Sequence, residues 1–595
     1  MKHFATHAAR ASALVLALSA PAAAGVKAVW AVNDGERVER DDRAHPARSG
    51  NSAWDGQRVR LFGARNEIVA FQVIVEADGD GIAAASVALP ELRHGDSRIA
   101  HAAPVADSSV FVGRDIQLFS LHYLDVTQAT KAEWAWEPGS PAAPADPTGW
   151  KPEILVPENA TAGRGGFPVS VGPSRNQAFW IDVYTGRDRP AGTYRGTLTL
   201  TADGKARDMP VELEIFGFAL PDENSLQAMV YYEPDEPELY QGRNLDPAYH
   251  RFAHRQRIEL VHGYDEDEVA AHLGRFDGSD FTAAAGYAGP GEGRGNVIVP
   301  ASFYGPGRKY QERESAWAAS DAWMTFVEKS LPGSLTFLYL PDEPYPRMYP
   351  EVRRLAENVK SNPGPGRRLP TFLTKRIVPD FEGLIDIWCI PPQAFDIAKA
   401  RAERQKGHQT WFYNGGRPQG PTLTIDTPAT DARAVAWAAF KHGVEVYFYW
   451  HGVHWRHNRQ KQGERNQDVW SNPITFDNRG QPNKPKGDQG WLNGDGVLLY
   501  PGEDRLHPDA DRGIDGPCSS VRLANLRRGL QDHLYLTLAR ERGKDAAVQA
   551  ALEKVVPRVF SDAGETVGFA ETGDAYEAAR RALGRAIAAA PGGAR

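Results

Sequence analysis

Ser334-Leu335-Thr336-Phe337-Leu338-Tyr339-Leu340-Pro341-Asp342-Glu343-Pro344 is the stretch on which the fold turns. A short apolar run dense in Leu, Phe and Tyr and bounded by Pro reads as a strand covered on both faces. The two adjacent carboxylates then stand at its C-terminal mouth rather than in the core. In barrels of parallel strands the loops at that end converge, and catalytic groups are drawn from them. A solvated loop that happens to carry two acids is the plainer alternative, so the rest of the chain has to decide.

Outward from this stretch, the sequence after Pro221 alternates strands with helices. Candidate strands are Gln227–Tyr232, Ile258–His262, Asn296–Pro300, Leu335–Leu340, Pro370–Thr374, Ile385–Ile390, Gln409–Tyr413 and Val444–Trp450, with helices such as Met348–Lys360 and Asp431–His442 between them. That rhythm predicts a (β/α)8 barrel. From Gly25 to about Leu220 the chain reads as β-structure instead. Ile68–Val75 is β-branched, and Thr197–Thr201, Asp203-Gly204 and Val211–Ile215 spell an antiparallel hairpin with Leu198, Leu200, Val211, Leu213 and Ile215 inward. Such hairpins build a β-sandwich, with Pro138 to Pro173 as long loops. Ser519 or Ser520 should cap a helix carrying Leu523, Leu526, Leu530, Leu534 and Leu538, and Tyr576, Leu583 and Ile587 mark another. The expected class is therefore α/β, divided as 1–24 leader, 25–222 sandwich, 223–545 barrel and 546–595 terminal helices.

At 595 residues the chain is too long for a single core. Lys2 and Arg10, then Ala13–Leu18, then Ala22-Ala23-Ala24 form a secretory leader with a small-residue cleavage site, which implies export to the periplasm or beyond. No later run approaches the roughly 18 apolar residues of a membrane span. The net charge of −8, with no basic block, excludes a nucleic-acid or anionic-lipid binder. Export permits a disulfide, but Cys389 and Cys518 make at most one bridge and no metal-spaced cluster. His451, His454 and His457 recur every third residue without an HExxH pattern, and the glycines from Gly286 to Gly295 lack the order of a phosphate loop or dinucleotide fingerprint. Neither a metal nor a cofactor is expected. No G-x-S-x-G elbow is present to suggest a serine nucleophile.

If the barrel forms, the residues just beyond its strands line one pocket: Glu233 and Asp235, Tyr304, Asp342 and Glu343, Lys375, Tyr413 and Asn414, and His451. That ring is polar and aromatic, suited to a neutral polyhydroxylated ligand. Trp450, Trp455, Trp470 and Trp491 cluster in and beyond the last strand, where indole faces could stack on sugar rings, or pack beneath a long loop. Adjacent acids allow one to donate a proton while its neighbour stays ionised. Glycoside hydrolysis needs that division of labour. Retaining enzymes with a protein nucleophile hold acids about 5–5.5 Å apart on opposite sides of the bond. Consecutive acids suit the substrate-assisted variant, with Asp342 orienting a 2-acetamido group and Glu343 as acid and base.

The chain resembles the bacterial family 123 glycoside hydrolases. The resemblance rests on Gly63–Glu67 with Phe71-Gln72, Pro341–Pro344, Asp386-Ile387-Trp388, Trp411–Tyr413, Ile425-Asp426 with Arg433 and Trp437, Tyr449-Trp450, Asn493–Gly496, Tyr500–Gly502 and Ser520–Leu523, in that order. It implies a β-sandwich before a (β/α)8 catalytic domain and metal-free, retaining β-N-acetylgalactosaminidase chemistry on Asp342 and Glu343. The resemblance adds Trp388, Asp426 and Tyr449 to Glu233, Tyr304, Lys375, Tyr413, Trp450 and Trp491 as candidate glycan-binding residues. Two other readings stand beside this one. One is a glycosidase on non-acetamido glycans that uses Glu233 or Asp426, and the other is a carbohydrate-binding barrel without catalysis.

Overall fold

The computed structural model describes residues 25–460, 463–480 and 489–589. The leader expected at 1–24 lies outside them. The chain is a mixed α/β protein, with three seven-stranded sheets among the described residues. Asp203 and Gly204 both take positive φ (48° and 75°) and join Gly192–Ala202 to Lys205–Ala219, as a two-residue hairpin turn requires. Leu198, Leu200, Val211, Leu213 and Ile215 are all buried from that hairpin. It is flanked by Val59–Arg65 and Ile82–Ala88 in one sheet. In another, Ile68–Ala77 is buried at every position and lies between Val26–Asn33 and Asn176–Tyr184. Trp30, Phe71 and Trp180 from this sheet meet Leu198, Val211 and Leu213 from the other in one apolar cluster.

The sheet built on Ile68–Ala77 does not end with the N-terminal segment. Pro517–Ser520 pairs with Gly149–Pro157, and Leu499–Pro501 pairs with Pro517–Ser520, so two strands from the 223–545 region complete it. Ser520 then caps the helix Val521–Glu541, its Oγ accepting the Leu523 N–H at 3.0 Å. This helix carries arginines into the N-terminal sheets. Arg522 Nε donates to Glu153 at 2.9 Å, and Arg527 donates to both oxygens of Asp182 at 2.8 Å. Arg528 lies 2.8 Å from Asp34, 3.0 Å from Glu67 and 2.8 Å from Glu577. Arg433 and Arg580 complete the network on Asp532, Glu577 and Glu67. Burial would push the Glu577 carboxyl up, but Arg528, Arg433 and Arg580 outweigh it and hold it down to about 2.

The third sheet is all parallel, in the order Glu259–Val261, Gln227–Tyr231, Val446–Tyr449, Gln409–Tyr413, Ile387–Ile390, Thr371–Thr374, Leu338–Tyr339. Seven of the eight expected strands take their places. The remaining segment, Asn296–Pro300, forms no ladder strand. It makes one bridge, Ile298 to Leu335, with Leu335 N–H on Val297 O at 2.7 Å and Val299 N–H on Leu335 O at 2.9 Å. On its other side a side chain replaces a strand: the Glu259 carboxylate accepts Val297 N–H at 3.1 Å and Ile298 N–H at 2.9 Å. Pro300 has no N–H to extend a ladder. Cys389 and Cys518 are buried, free, and in different sheets, so the single bridge that two cysteines allow does not form.

Glu259 is 6% exposed, and burial pushes its carboxyl up to about 7 in spite of those N–H groups. The folded chain therefore holds this proton more tightly than the unfolded chain, where a Glu titrates at about 4.3. The resulting stabilisation is present in full below the unfolded value and is lost as pH rises through about 7. The melting temperature of the wild type is expected to fall, from about pH 5 to about pH 8, more than that of Glu259→Gln. Parallel melting curves for the two proteins would contradict this.

Candidate active site

Along Leu335–Leu340, Phe337 and Tyr339 point into the cluster enclosed by the parallel sheet, while Leu338 and Leu340 point outward to the helices. In an extended chain the next two residues would also face opposite ways. Glu343 breaks the alternation with φ of +41°, and both acids emerge exposed at the strand's mouth. Tyr339 OH donates to Asp342 Oδ1 at 2.8 Å, and Thr374 Oγ1 donates to the same oxygen at 2.7 Å. Thr374 Oγ1 also accepts the Glu343 N–H at 3.0 Å, so one hydroxyl ties the pair together. Tyr413 OH donates to Glu343 Oε1 at 2.6 Å. Lys375 is half-buried beside Glu343, and burial lowers its ammonium pKa against the pull of that carboxylate.

Tyr304, at φ +51°, donates to the Trp450 carbonyl at 2.5 Å. Burial drives its phenol well above the ordinary value, and the charges of Asp342, Glu343 and Glu233 push the same way. Tyr231 OH donates to Glu233 Oε1 at 3.0 Å. His451 Nε2 is 3.9 Å and Arg456 3.6 Å from Glu233 Oε2. Burial lowers the His451 pKa against the pull of the Glu233 carboxylate. Asn414, also at positive φ, accepts the Trp450 N–H at 3.1 Å. Asp342, Glu343, Glu233, Tyr304, Lys375, Tyr413 and Trp450 thus gather at one end of the parallel sheet.

Four candidates are elsewhere. Trp388 and Tyr449 fall on the outward face of their strands, 2% and 1% exposed, because their inward neighbours are Ile387, Cys389 and Phe448. Asp426 is buried and bound to Thr130 N–H at 2.6 Å, Thr130 Oγ1 at 2.9 Å and Asn493 Nδ2 at 3.1 Å. Trp491 donates to the Ala129 carbonyl at 3.0 Å beneath the Arg479 guanidinium, 4.3 Å above its ring. Trp455 and Trp470 are core, bound to the carbonyls of Leu499 and Pro501. Of the three spaced histidines, the side chain of His457 lies outside the described residues. Thr374, Tyr339 and Tyr231 were missed by reading only residues beyond strand ends. The period-two alternation that puts Tyr339 inward was the available signal.

Residues 343–539 match the family model described as Glycoside hydrolase 123, catalytic domain. No curated protein matches the chain. Among solved structures it is similar to a family 123 glycoside hydrolase from Clostridium perfringens, studied for glycolipid glycan hydrolysis. That likeness has 11% identity and a TM-score of 0.60, covering 94% of this chain and 97% of the other. Weaker similarities are to the β-glucuronidase of Parabacteroides merdae (8% identity, 78% and 50% covered, TM-score 0.27) and to β-glucuronidase 3 of Bacteroides uniformis (9%, 80% and 51%, TM-score 0.24), both too distant to argue from. Among the described residues no helix is long and apolar enough to cross a membrane. From the second of its two strand-end acids to residue 539, this chain is therefore similar to the catalytic domain of glycoside hydrolase family 123.

Proposed function

We propose that the chain is an exported, retaining, substrate-assisted glycoside hydrolase that removes β-linked 2-acetamido sugars, N-acetylgalactosamine foremost, from glycans. One observation carries this reading: two consecutive carboxylates face one mouth, Asp342 held by Tyr339 and Thr374, and Glu343 held by Tyr413. Glu343 gives its proton to the glycosidic oxygen while the substrate's own acetamido oxygen attacks the anomeric carbon, and the departing oxygen keeps the bonding electrons. Asp342 accepts the acetamido N–H and stabilises the positive charge of the cyclic intermediate. Water, giving its proton to Glu343, then opens that ring with net retention.

Asp426, weighed together with Glu233 as the nucleophile or base for a non-acetamido glycan, is committed to Thr130 and Asn493. Glu233, beside Tyr231 and His451, is suited to accepting sugar hydroxyls. We read the parallel sheet as a (β/α)8 barrel in which residues 296–301 fill the eighth place, a reading supported by their backbone bonds to residues 335–337. In the same reading the two N-terminal sheets are a sandwich, and the leader at 1–24 directs export to the periplasm or beyond.

Aryl β-glycosides with and without a 2-acetamido group test the mechanism. The wild type is expected to turn over only the acetamido sugars, and Asp342→Asn to lose about 10²-fold or more in kcat. Turnover of plain hexosides would assign the chemistry to a different acid pair. Binding of glycans without turnover would make the chain a carbohydrate-binding protein.

A further inference from the structure

The loop of residues 127–148, between Ile116–Val126 and Gly149–Pro157 of the N-terminal sheet, does not stay with that sheet. Lys131 exchanges backbone hydrogen bonds with Trp491 at 2.9 and 3.1 Å, and the Ala135 carbonyl accepts the Arg417 N–H at 2.8 Å. The Trp134 carbonyl accepts the side-chain N–H of Gln393. Gln393 follows the strand Ile387–Ile390 and Arg417 follows Gln409–Tyr413, so the loop lies beside the end of the strand whose Tyr413 donates to Glu343.

Trp134 thereby ends a run of aromatic rings that begins inside the site. Tyr231, which holds Glu233, meets His451 at 5.2 Å, His451 meets Trp450 at 5.6 Å, Trp450 meets Phe476 at 5.6 Å, and Phe476 meets Trp134 at 6.1 Å. The last three contacts are edge-on, at 75°, 86° and 87°. Edge-on packing fixes a ring while leaving π-face uncovered, which a closed stack would not do. Burial separates these rings from the tryptophans that only pack. Trp136, Trp455 and Trp470 are 3%, 0% and 2% exposed, whereas Trp134, Trp450 and Phe476 are half-buried.

We infer that Trp450, Phe476 and Trp134 form a strip that binds the outer sugars of an oligosaccharide, those beyond the bond being cut, so that the N-terminal domain supplies part of the substrate site. The apolar faces of pyranose rings pack well on half-buried aromatic rings, and the run reaches the acids through ring contacts of Tyr231 with Tyr304 and of Tyr304 with Tyr339, whose hydroxyl holds Asp342. This inference rests on the glycosidase reading above.

The test compares kcat/KM on an oligosaccharide ending in a β-linked 2-acetamido sugar with that on the corresponding aryl monoglycoside. Trp134→Ala is expected to lose about tenfold more on the oligosaccharide than on the aryl substrate, through KM rather than kcat, with partial recovery in Trp134→Phe. Equal losses on the two substrates would overturn the inference. If Trp134→Ala does not fold, Trp134→Leu makes the same comparison with bulk but no π-face. If the wild type hydrolyses neither substrate, the glycosidase reading fails, and the strip is judged by calorimetric binding of the oligosaccharide. Equal Kd for wild type and Trp134→Leu would then overturn it.

Discussion

Glu343→Gln is expected to lower kcat by about 10²- to 10⁴-fold, the range that a positioned proton donor contributes. The substitution keeps the shape of the site. The backbone turn at φ +41° and the Glu343 N–H bond to Thr374 do not involve the carboxyl, and Tyr413 can donate to the amide oxygen as it does to Oε1. What disappears is the proton, needed by the departing oxygen in the first step and taken back from water in the second. The loss should therefore be larger for oligosaccharides, whose leaving alcohols need protonation, than for nitrophenyl glycosides, whose leaving groups depart unaided. An unchanged melting temperature would show that the fold is intact. A loss under about tenfold on every substrate would remove Glu343 from the acid role.

Arg528→Met is expected to destabilise the protein by about 3–5 kcal/mol, the cost of breaking a buried ion pair from one side. Arg528 is 1% exposed and stands among Asp34, Glu67 and Glu577, so its removal leaves carboxylates facing one another away from water. These acids come from both ends of the chain, Asp34 and Glu67 from the N-terminal sheets and Glu577 from the terminal helix Gly573–Ala588. The loss should appear as one earlier transition in urea for the whole protein, rather than as a new partial transition. Arg581 offers the control. Its contact with Glu214 is 3.4 Å between groups 31% and 43% exposed, and Arg581→Ala should cost no more than about 1 kcal/mol. Equal effects of the two substitutions would mean that the buried network is not what joins the two halves.

Local physics was readable along the chain wherever a few neighbouring residues decide the outcome. Asp203-Gly204 turns because both residues tolerate positive φ, and Ser520 caps because its hydroxyl reaches an N–H three residues on. The acid pair was readable because a Pro-bounded apolar run can end in charge only at a mouth. Trp388 and Tyr449 were misplaced for a different reason. A strand's alternation sets which residues share a face, but which face meets the enclosed cluster and which meets the helices depends on the neighbouring layers. Asp426 was misplaced because its partner Thr130 is 296 residues away. The strand Pro517–Ser520, in the same way, finds its partner in Gly149–Pro157.

From the sequence alone come the alternation of strands and helices, the β-rich N-terminal segment, and the adjacent Asp342 and Glu343, since each depends on local periodicity and composition. Only the tertiary structure decided that Thr374 and Tyr413 hold those acids, that Glu259 substitutes for a strand, and that Trp134 reaches Gln393 beyond the parallel strand Ile387–Ile390. Those contacts join residues far apart along the chain, and their geometry is set by how whole layers pack rather than by any residue's own preference.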